Sequence, residues 1–259
     1  MNVLVLLRMV PDVVEELEVA PEGRTLDLQV LRMILSESDD HALEEALLLK
    51  ERHGGTVTVL ALDSPDIDDV LFTSLAKGAD RAVKVTGLDM RVTSRGLAHI
   101  FAQTIATPGS LGPADLILTG TQAIDEWDGS VAPLVAHFLR LPFVPIVVQV
   151  AVGTSGGTAT VIKEYPGGIR GEFEVRLPAV LGIQAAEKAP RYVPVAKVRA
   201  AAKSRRIETL PGPPHMVPAF VEVLQMMKPE VAGHAEMLEG PVEKIASRVC
   251  EILAERGLV

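Results

Sequence analysis

Cysteine is nearly absent from this 259-residue chain. Cys250 stands alone, which excludes an internal disulfide and any cysteine-rich metal cluster. Aromatic residues make up only 3%, so platforms on which bases or flavin rings could stack are scarce. No apolar run approaches the ~18 residues of a spanning helix, and no membrane insertion is expected. The apolar opening, residues 3–7, is too short for a signal peptide, lacks a basic cluster before it and has no small-residue cleavage site after it. A cytoplasmic location is the expectation, or the matrix if the chain comes from a mitochondrion. The familiar catalytic motifs are missing too: there is no Walker loop, no HExxH, no GxSxG, and the first apolar run is not followed by GxGxxG. His41, His53, His99, His137, His215 and His234 show no ligand spacing, so no metal is expected. Glu44 and Glu45 are adjacent on a predicted helix, point to different sides and form no carboxylate pair. No catalytic residue is expected.

What is present is an ordinary globular composition, 48% hydrophobic and 23% charged, long enough for one large or two small domains with a sizeable core. The net charge of -9 hides an asymmetry. Residues 188–206 hold seven basic side chains (Lys188, Arg191, Lys197, Arg199, Lys203, Arg205, Arg206) and no acidic one. Nucleic acid would require a basic face with interleaved aromatics, and only Tyr192 is there beside an acidic main body. The segment reads instead as a basic arm for a partner protein, with a solvated charged face as the alternative.

Along the chain, strands and helices alternate. Residues 2–7, 56–62, 81–86 and 116–119 read as strands; 42–50, 66–77, 92–107 and 131–140 read as helices, the first capped by Asp39 or Asp40. That order predicts an α/β fold with a doubly wound, mostly parallel, Rossmann-like sheet. After Pro142 the pattern changes to strands at 143–152, 158–165 and 171–176, separated by turn signals at 153–157 and 166–168, which predicts an edge β-hairpin. Residues 178–183 form one more strand. All core strands thus precede Lys188, giving a nucleotide-binding body over 1–187 and a C-terminal arm with helices over 188–259. Those helices are expected at 219–227 and 241–256, with Cys250 packed among Ile245, Val249, Ile252 and Leu253.

The stretch 115–133 carries the functional signal. A strand breaks at Gly120 into a polar loop and then a helix, and in open α/β sheets ligands sit outside the carboxyl ends of strands, where loop amides and helix N-termini hold anions. Gly129 would let the backbone approach a phosphate, and Ser130 would cap the helix or bond a phosphate oxygen. An Asp/Ser-capped βα turn without ligand is the bland alternative. A nucleotide site without catalytic groups suggests a nucleotide that is held, not turned over.

Four stretches then show a resemblance: 43–51 (LEEALLLKE), 76–81 (AKGADR), 120–125 (GTQAID), and the combination of Gly167 and Gly168 with 175–180 (VRLPAV) and 190–192 (PRY). Their order and spacing resemble the β subunit of electron-transfer flavoproteins over about residues 1–206, and more loosely beyond, through Pro229, Ala232, Gly233, Glu239 and Gly240. The resemblance implies a heterodimer whose α subunit carries most contacts to a redox-active FAD, while this chain holds AMP. It implies service to dehydrogenases and a quinone-linked oxidoreductase. The implied nucleotide contacts are Leu6; Ser36, Glu37, Ser38 and Asp39; Leu62 and Asp63; Gln122, Ala123, Ile124 and Asp125; and Asp128, Gly129, Ser130, Val131, Ala132 and Pro133. The implied partner contacts are Glu187, Arg191, Tyr192, Lys197, Arg199 and Lys203.

The chain also departs from the family. Val13 and Ser38 stand where the common branch brings aromatics to the flavin, and Glu187 stands where its partner-recognition loop has a leucine. Residues 125–133 match neither the common branch's acidic run ending in Thr-Gly-Gln nor, fully, the Val-Gly-Pro ending of the electron-bifurcating branch, which holds a second FAD in place of AMP. The AMP reading is carried forward with the second FAD as its alternative. A stand-alone nucleotide-hydrolysing or adenylating enzyme is a third reading. It would be expected to show a Ser-Gly-Gly-x-Asp-Ser loop after the first strand, where this chain has Arg8 to Asp12.

Overall fold

The computed structural model describes residues 1–28, 31–87, 92–153, 157–214, 221–229, 235 and 237–258. Part of the turn expected at 153–157, the start of the helix expected at 219–227, and His215, His234, Ala232 and Gly233 lie outside the described residues.

Strand β1 (Asn2–Leu7) is buried on both faces after its first residue, which is why it reads as a continuous apolar run. A short ribbon, β2 (Met9–Pro11) against β3 (Met33–Leu35), follows it. Then come α1 (Glu37–His53), β4 (Thr56–Leu62), α2 (Ile67–Lys77), β5 (Arg81–Thr86), α3 (Ser94–Ala106), β6 (Leu116–Gly120) and α4 (Val131–Leu139). An antiparallel meander of β7 (Phe143–Val152), β8 (Thr158–Tyr165) and β9 (Ile169–Arg176) precedes β10 (Ala179–Ile183). The chain closes with α5 (Val195–Ser204), β11 (Ile207–Pro211) and α6 (Val242–Glu255).

The nine-stranded sheet runs β11-β5-β4-β1-β6-β10-β7-β8-β9, parallel except for the β7-β8-β9 meander. From β1 the chain winds outward to β4 and β5, then crosses to β6 on the other side of β1. The β1/β6 boundary is therefore the switch point. Side chains alternate between two cores. Val3, Val5 and Leu7 pack with Leu43, Leu47 and Leu71 of α1 and α2, whereas Leu4 and Leu6 pack with Ile100, Phe101 and Val135 of α3 and α4.

Several expectations need correction. The basic segment is not a free arm: α5 packs on α2 with Ala201 buried, and β11 pairs in parallel with β5 as an edge strand of the main sheet. Without it β5 would be the open edge, and the two half-buried apolar residues of β11, Ile207 and Leu210, reach one core each. Core-sheet strands therefore do not all precede Lys188. Residues 221–229 form no helix; they fold back over the first loop, with Met226 N–H donating to Gly23 O at 2.7 Å and Lys228 paired with Glu16 and Glu18. Helix α6 has the expected apolar spacing, but none of its residues is buried and Cys250 is exposed.

Candidate functional site

Three elements meet at the switch point, held by one buried ionic network. Arg8 follows the last residue of β1, and a guanidinium there needs partners because an unpaired buried charge is costly. Asp39, in the first turn of α1, supplies two: Arg8 Nε donates to Oδ2 and Nη2 to Oδ1, both at 2.9 Å. Glu126 Oε2 takes Nη1 at 2.6 Å, and Gly120 O takes Nη2 at 3.1 Å. Burial opposes the charged guanidinium, but Asp39 and then Glu126 outweigh it and push its pKa further above its ordinary value.

Asp39 also accepts the backbone N–H of Arg8 at 2.9 Å and of Gly120 at 2.6 Å. One fully buried carboxylate thus bridges the ends of β1 and β6 where the strands' connections diverge. This overturns the capping role expected of Asp39. The N-cap position is Ser36, whose side chain makes no capping bond. Close approach of α1 to β6 explains Gly120, since a Cβ there would collide with Ser38 Oγ and Asp39 Oδ1.

The loop 121–130 is braced from within. Gln122 Nε2 donates to Glu126 O at 2.8 Å and Trp127 O at 3.3 Å, and Asp128 Oδ1 accepts Ser130 N–H at 3.2 Å. Ser38 Oγ donates to Gln122 O at 2.8 Å, and Ser36 and Ser38 hydroxyls lie 3.2 Å apart. Gly129 has φ +59°, so this turn favours glycine whether or not a ligand is bound. Of the two roles expected of Ser130, capping α4 or bonding a phosphate oxygen, the first is overturned, since its side chain makes no capping bond. Glu126 does the work instead: its Oε1 accepts Val131 N–H at 2.9 Å, a carboxylate at the positive end of a helix. Ala123, Val131 and Ala132 are buried and Pro133 is half-buried, while Ile124 is 66% and Trp127 98% exposed at the loop's tip.

The remaining expected positions lie at the same carboxyl edge. Leu6 is buried in β1, Glu37 is exposed at the start of α1, and Leu62 ends β4. Asp63 follows, paired with Lys84 at 3.2 Å, and then Ser64, whose Oγ is buried without a hydrogen-bond partner. A cavity of about 100 Å³, lined by Asn2, Thr56, Thr58 and Arg81, lies at the opposite, amino-terminal edge. It has room for a few waters and none for a nucleotide.

The expected partner contacts divide into two groups. Glu187 and Arg191 are engaged within the chain. Arg191 is gripped by Glu44 at 2.8 Å and Glu51 at 2.6 Å, Arg52 pairs with Glu187, and Glu187 N–H donates to Glu45 at 3.1 Å. Glu44 and Glu45 are therefore both buried under residues 186–191, where His41 Nδ1 also accepts Ala186 N–H at 3.2 Å. They form no carboxylate pair, each holding a different group: Glu44 the Arg191 guanidinium and Glu45 the Glu187 N–H. Burial pushes the Glu45 carboxyl up to about 7. Tyr192, Lys197, Arg199 and Lys203 face outward.

Comparison with known proteins decides the family. The electron transfer flavoprotein domain matches residues 25–214. The electron transfer flavoprotein subunit beta of Clostridium acetobutylicum is 32% identical over 277 aligned positions, covering all of both chains. The subunit of the same name from Methylophilus methylotrophus is 29% identical over 270, covering 98% of each. Protein FixA of Azorhizobium caulinodans is 34% identical over 187, covering 70% of this chain and 65% of that one. The chain belongs to the electron transfer flavoprotein β-subunit family.

In this β subunit the buried centre of the edge is made by two residues absent from the sequence-based set, Arg8 and Glu126. A charge directly after a buried strand was the available signal for Arg8, because such a residue must find partners. Glu126 carried no comparable sign, being one acid among three in a polar loop. Among the described residues, no cluster of His, Cys, Asp or Glu could hold a metal, and no helix is long and apolar enough to cross a membrane.

Proposed function

We propose that this β subunit pairs with an electron transfer flavoprotein α subunit, that α makes most contacts to the redox-active FAD, and that the carboxyl edge of this sheet holds AMP. The observation that carries the reading is the meeting of β1, β6, α1 and the 121–130 loop at the switch point, the place where open α/β sheets take nucleotides. The residues present fit an adenine nucleotide. Ser64 Oγ at the end of β4 is a buried hydroxyl lacking a partner, and such groups are rare unless something else satisfies them. The Ser130 hydroxyl and the Ala132 N–H add donors on the loop side, beside Ser38, Gln122, Ala123 and Asp125. The half-buried Leu62 and Pro133 supply apolar surface, backed by Leu6 and Val131 in the core behind them.

The bound nucleotide is a structural ligand, and the flavin held with α supplies the electron chemistry between dehydrogenases and a quinone-linked oxidoreductase. Here Val13 is 52% exposed and Ser38 is committed to Gln122 O, so neither offers a flavin ring an aromatic face. Tyr192, Lys197, Arg199 and Lys203 meet the partner directly, the basic side chains steering association. Glu187 and Arg191 act indirectly, fixing the segment that leads to them. The α subunit covers the exposed apolar residues of the C-terminal segment, such as Val221, Leu224, Met227 and Val242. A second FAD in place of AMP is the alternative, favoured by the Val131-Ala-Pro133 start of α4. Expressing the chain alone and recording its visible spectrum tests the assignment. A colourless protein that gains flavin absorbance only with α and FAD is expected, and stoichiometric flavin in the isolated chain contradicts it.

A further inference from the structure

Glu126 occupies the groups that a nucleotide's phosphates would otherwise use. Its two oxygens take Val131 N–H at 2.9 Å and Arg8 Nη1 at 2.6 Å, and Oε2 lies 3.4 Å from Ala123 N. Helix α4 begins with Val131, Ala132 and Pro133; proline has no N–H, and Leu134 N–H already donates to Ser130 O at 3.1 Å. With Val131 taken, Ala132 supplies the remaining amide of the first turn.

The charges agree with this count. Asp39, Asp125, Glu126 and Asp128 stand in and beside the loop against the Arg8 guanidinium, which Asp39 and Glu126 already neutralise. Lys77 and Lys84 are engaged too, Lys77 with Asp40, and Lys84 with Asp63 and Asp68. One phosphate can be accommodated by Ala132 N–H and hydroxyls. A second would meet the Glu126 carboxylate where it needs a donor.

We propose that Glu126 is a specificity-determining residue that restricts this site to nucleoside monophosphates and turns away diphosphates and dinucleotides. It acts by holding the α4 amide and the Arg8 guanidinium itself. The inference rests on the nucleotide reading of the site given above.

The test uses the full-length chain in complex with its α subunit, stripped of nucleotide, with AMP and ADP measured by equilibrium dialysis. The wild-type complex is expected to bind AMP at least roughly tenfold more tightly than ADP, the scale of one near-surface charge interaction. Glu126→Gln keeps the size of the side chain, removes the charge and should bring the two affinities within about threefold, whereas Glu174→Gln, at an exposed position on β9 away from the site, should leave the preference intact. Thermal unfolding establishes that each variant is folded. Equal wild-type affinities overturn the proposal, and so does a wild-type preference that persists in folded Glu126→Gln; in both cases AMP binding, and with it the nucleotide site, stands. If the wild-type complex binds neither nucleotide, the site reading falls and this inference with it. Should Glu126→Gln fail to fold, the wild-type ratio alone decides.

Discussion

Replacing Asp39 should destabilise the protein more than any exposed acid does, and the structure sets the size. Its carboxylate accepts five hydrogen bonds: the Arg8 N–H, two guanidinium contacts, Gly120 N–H and the Thr119 hydroxyl, at 2.9, 2.9, 2.9, 2.6 and 3.4 Å. In Asp39→Ala these donors lose their acceptor with no access to water, and Glu126 alone faces the guanidinium. Breaking one side of a buried ion pair costs about 3–5 kcal/mol. Asparagine is no rescue, because its NH2 would face Arg8 donors. Both variants should therefore lose about 4 kcal/mol, roughly 8–16 °C in Tm at about 2–4 °C per kcal/mol for a chain of this size. Urea and thermal unfolding followed by circular dichroism measure it, with exposed Glu222→Ala as the control expected within about 0.5 kcal/mol. Combining Asp39→Leu with Arg8→Met and Glu126→Gln should recover part of the loss, since no buried charge is then left without a partner. A loss below about 1 kcal/mol in folded Asp39→Asn would show that the network does not join the strand ends.

Other consequences can be checked with the same methods. Burial raises the Glu45 carboxyl to about 7 against the lowering by the Glu187 N–H and Arg52, so between the unfolded carboxyl value near 4.5 and 7 the folded state keeps a proton that the unfolded chain releases. Stability should thus fall as pH rises through that window, by up to about 3 kcal/mol, and Glu45→Gln should flatten the profile; an unchanged slope refutes this assignment. Gly120→Ala should cost about 1–3 kcal/mol through collision with α1, a loss visible in the same melts. Truncation before Lys188 removes α5 and β11 and should lower stability by roughly 3 kcal/mol or more, whereas truncation after Pro211 should leave a folded body. Equal melting points for the two truncations would count against β11 as a sheet strand.

How much of this was legible in the sequence depended on distance along the chain. Strands β1 and β6 stood out because burial on both faces makes each a near-continuous apolar run, and β4 and β5 because their apolar residues end at Asp63 and Gly87. The start of α1 did not, since the polar run 36–41 looks like loop until Asp39 is seen to face inward. Strand β11 is short, half polar and pairs with a strand about 120 residues earlier, so nothing local marks it. The same holds for the site. Gln122 to Asp125 announced themselves as a loop after a strand, but the Arg8 contacts to Asp39 and Glu126 span 31 and 118 residues. The grip of Glu44 on Arg191 spans 147. The amphipathic spacing of α6 was read correctly as a pattern and wrongly as burial, because among the described residues nothing covers that face.

The central claim is that the switch-point edge of this β subunit holds AMP beside an α subunit carrying FAD. Purifying the heterodimer, denaturing it and quantifying the released nucleotides by chromatography tests it most directly. The account predicts one FAD and one AMP per heterodimer. Two FAD and no AMP, or one FAD with no second adenine nucleotide, would contradict it.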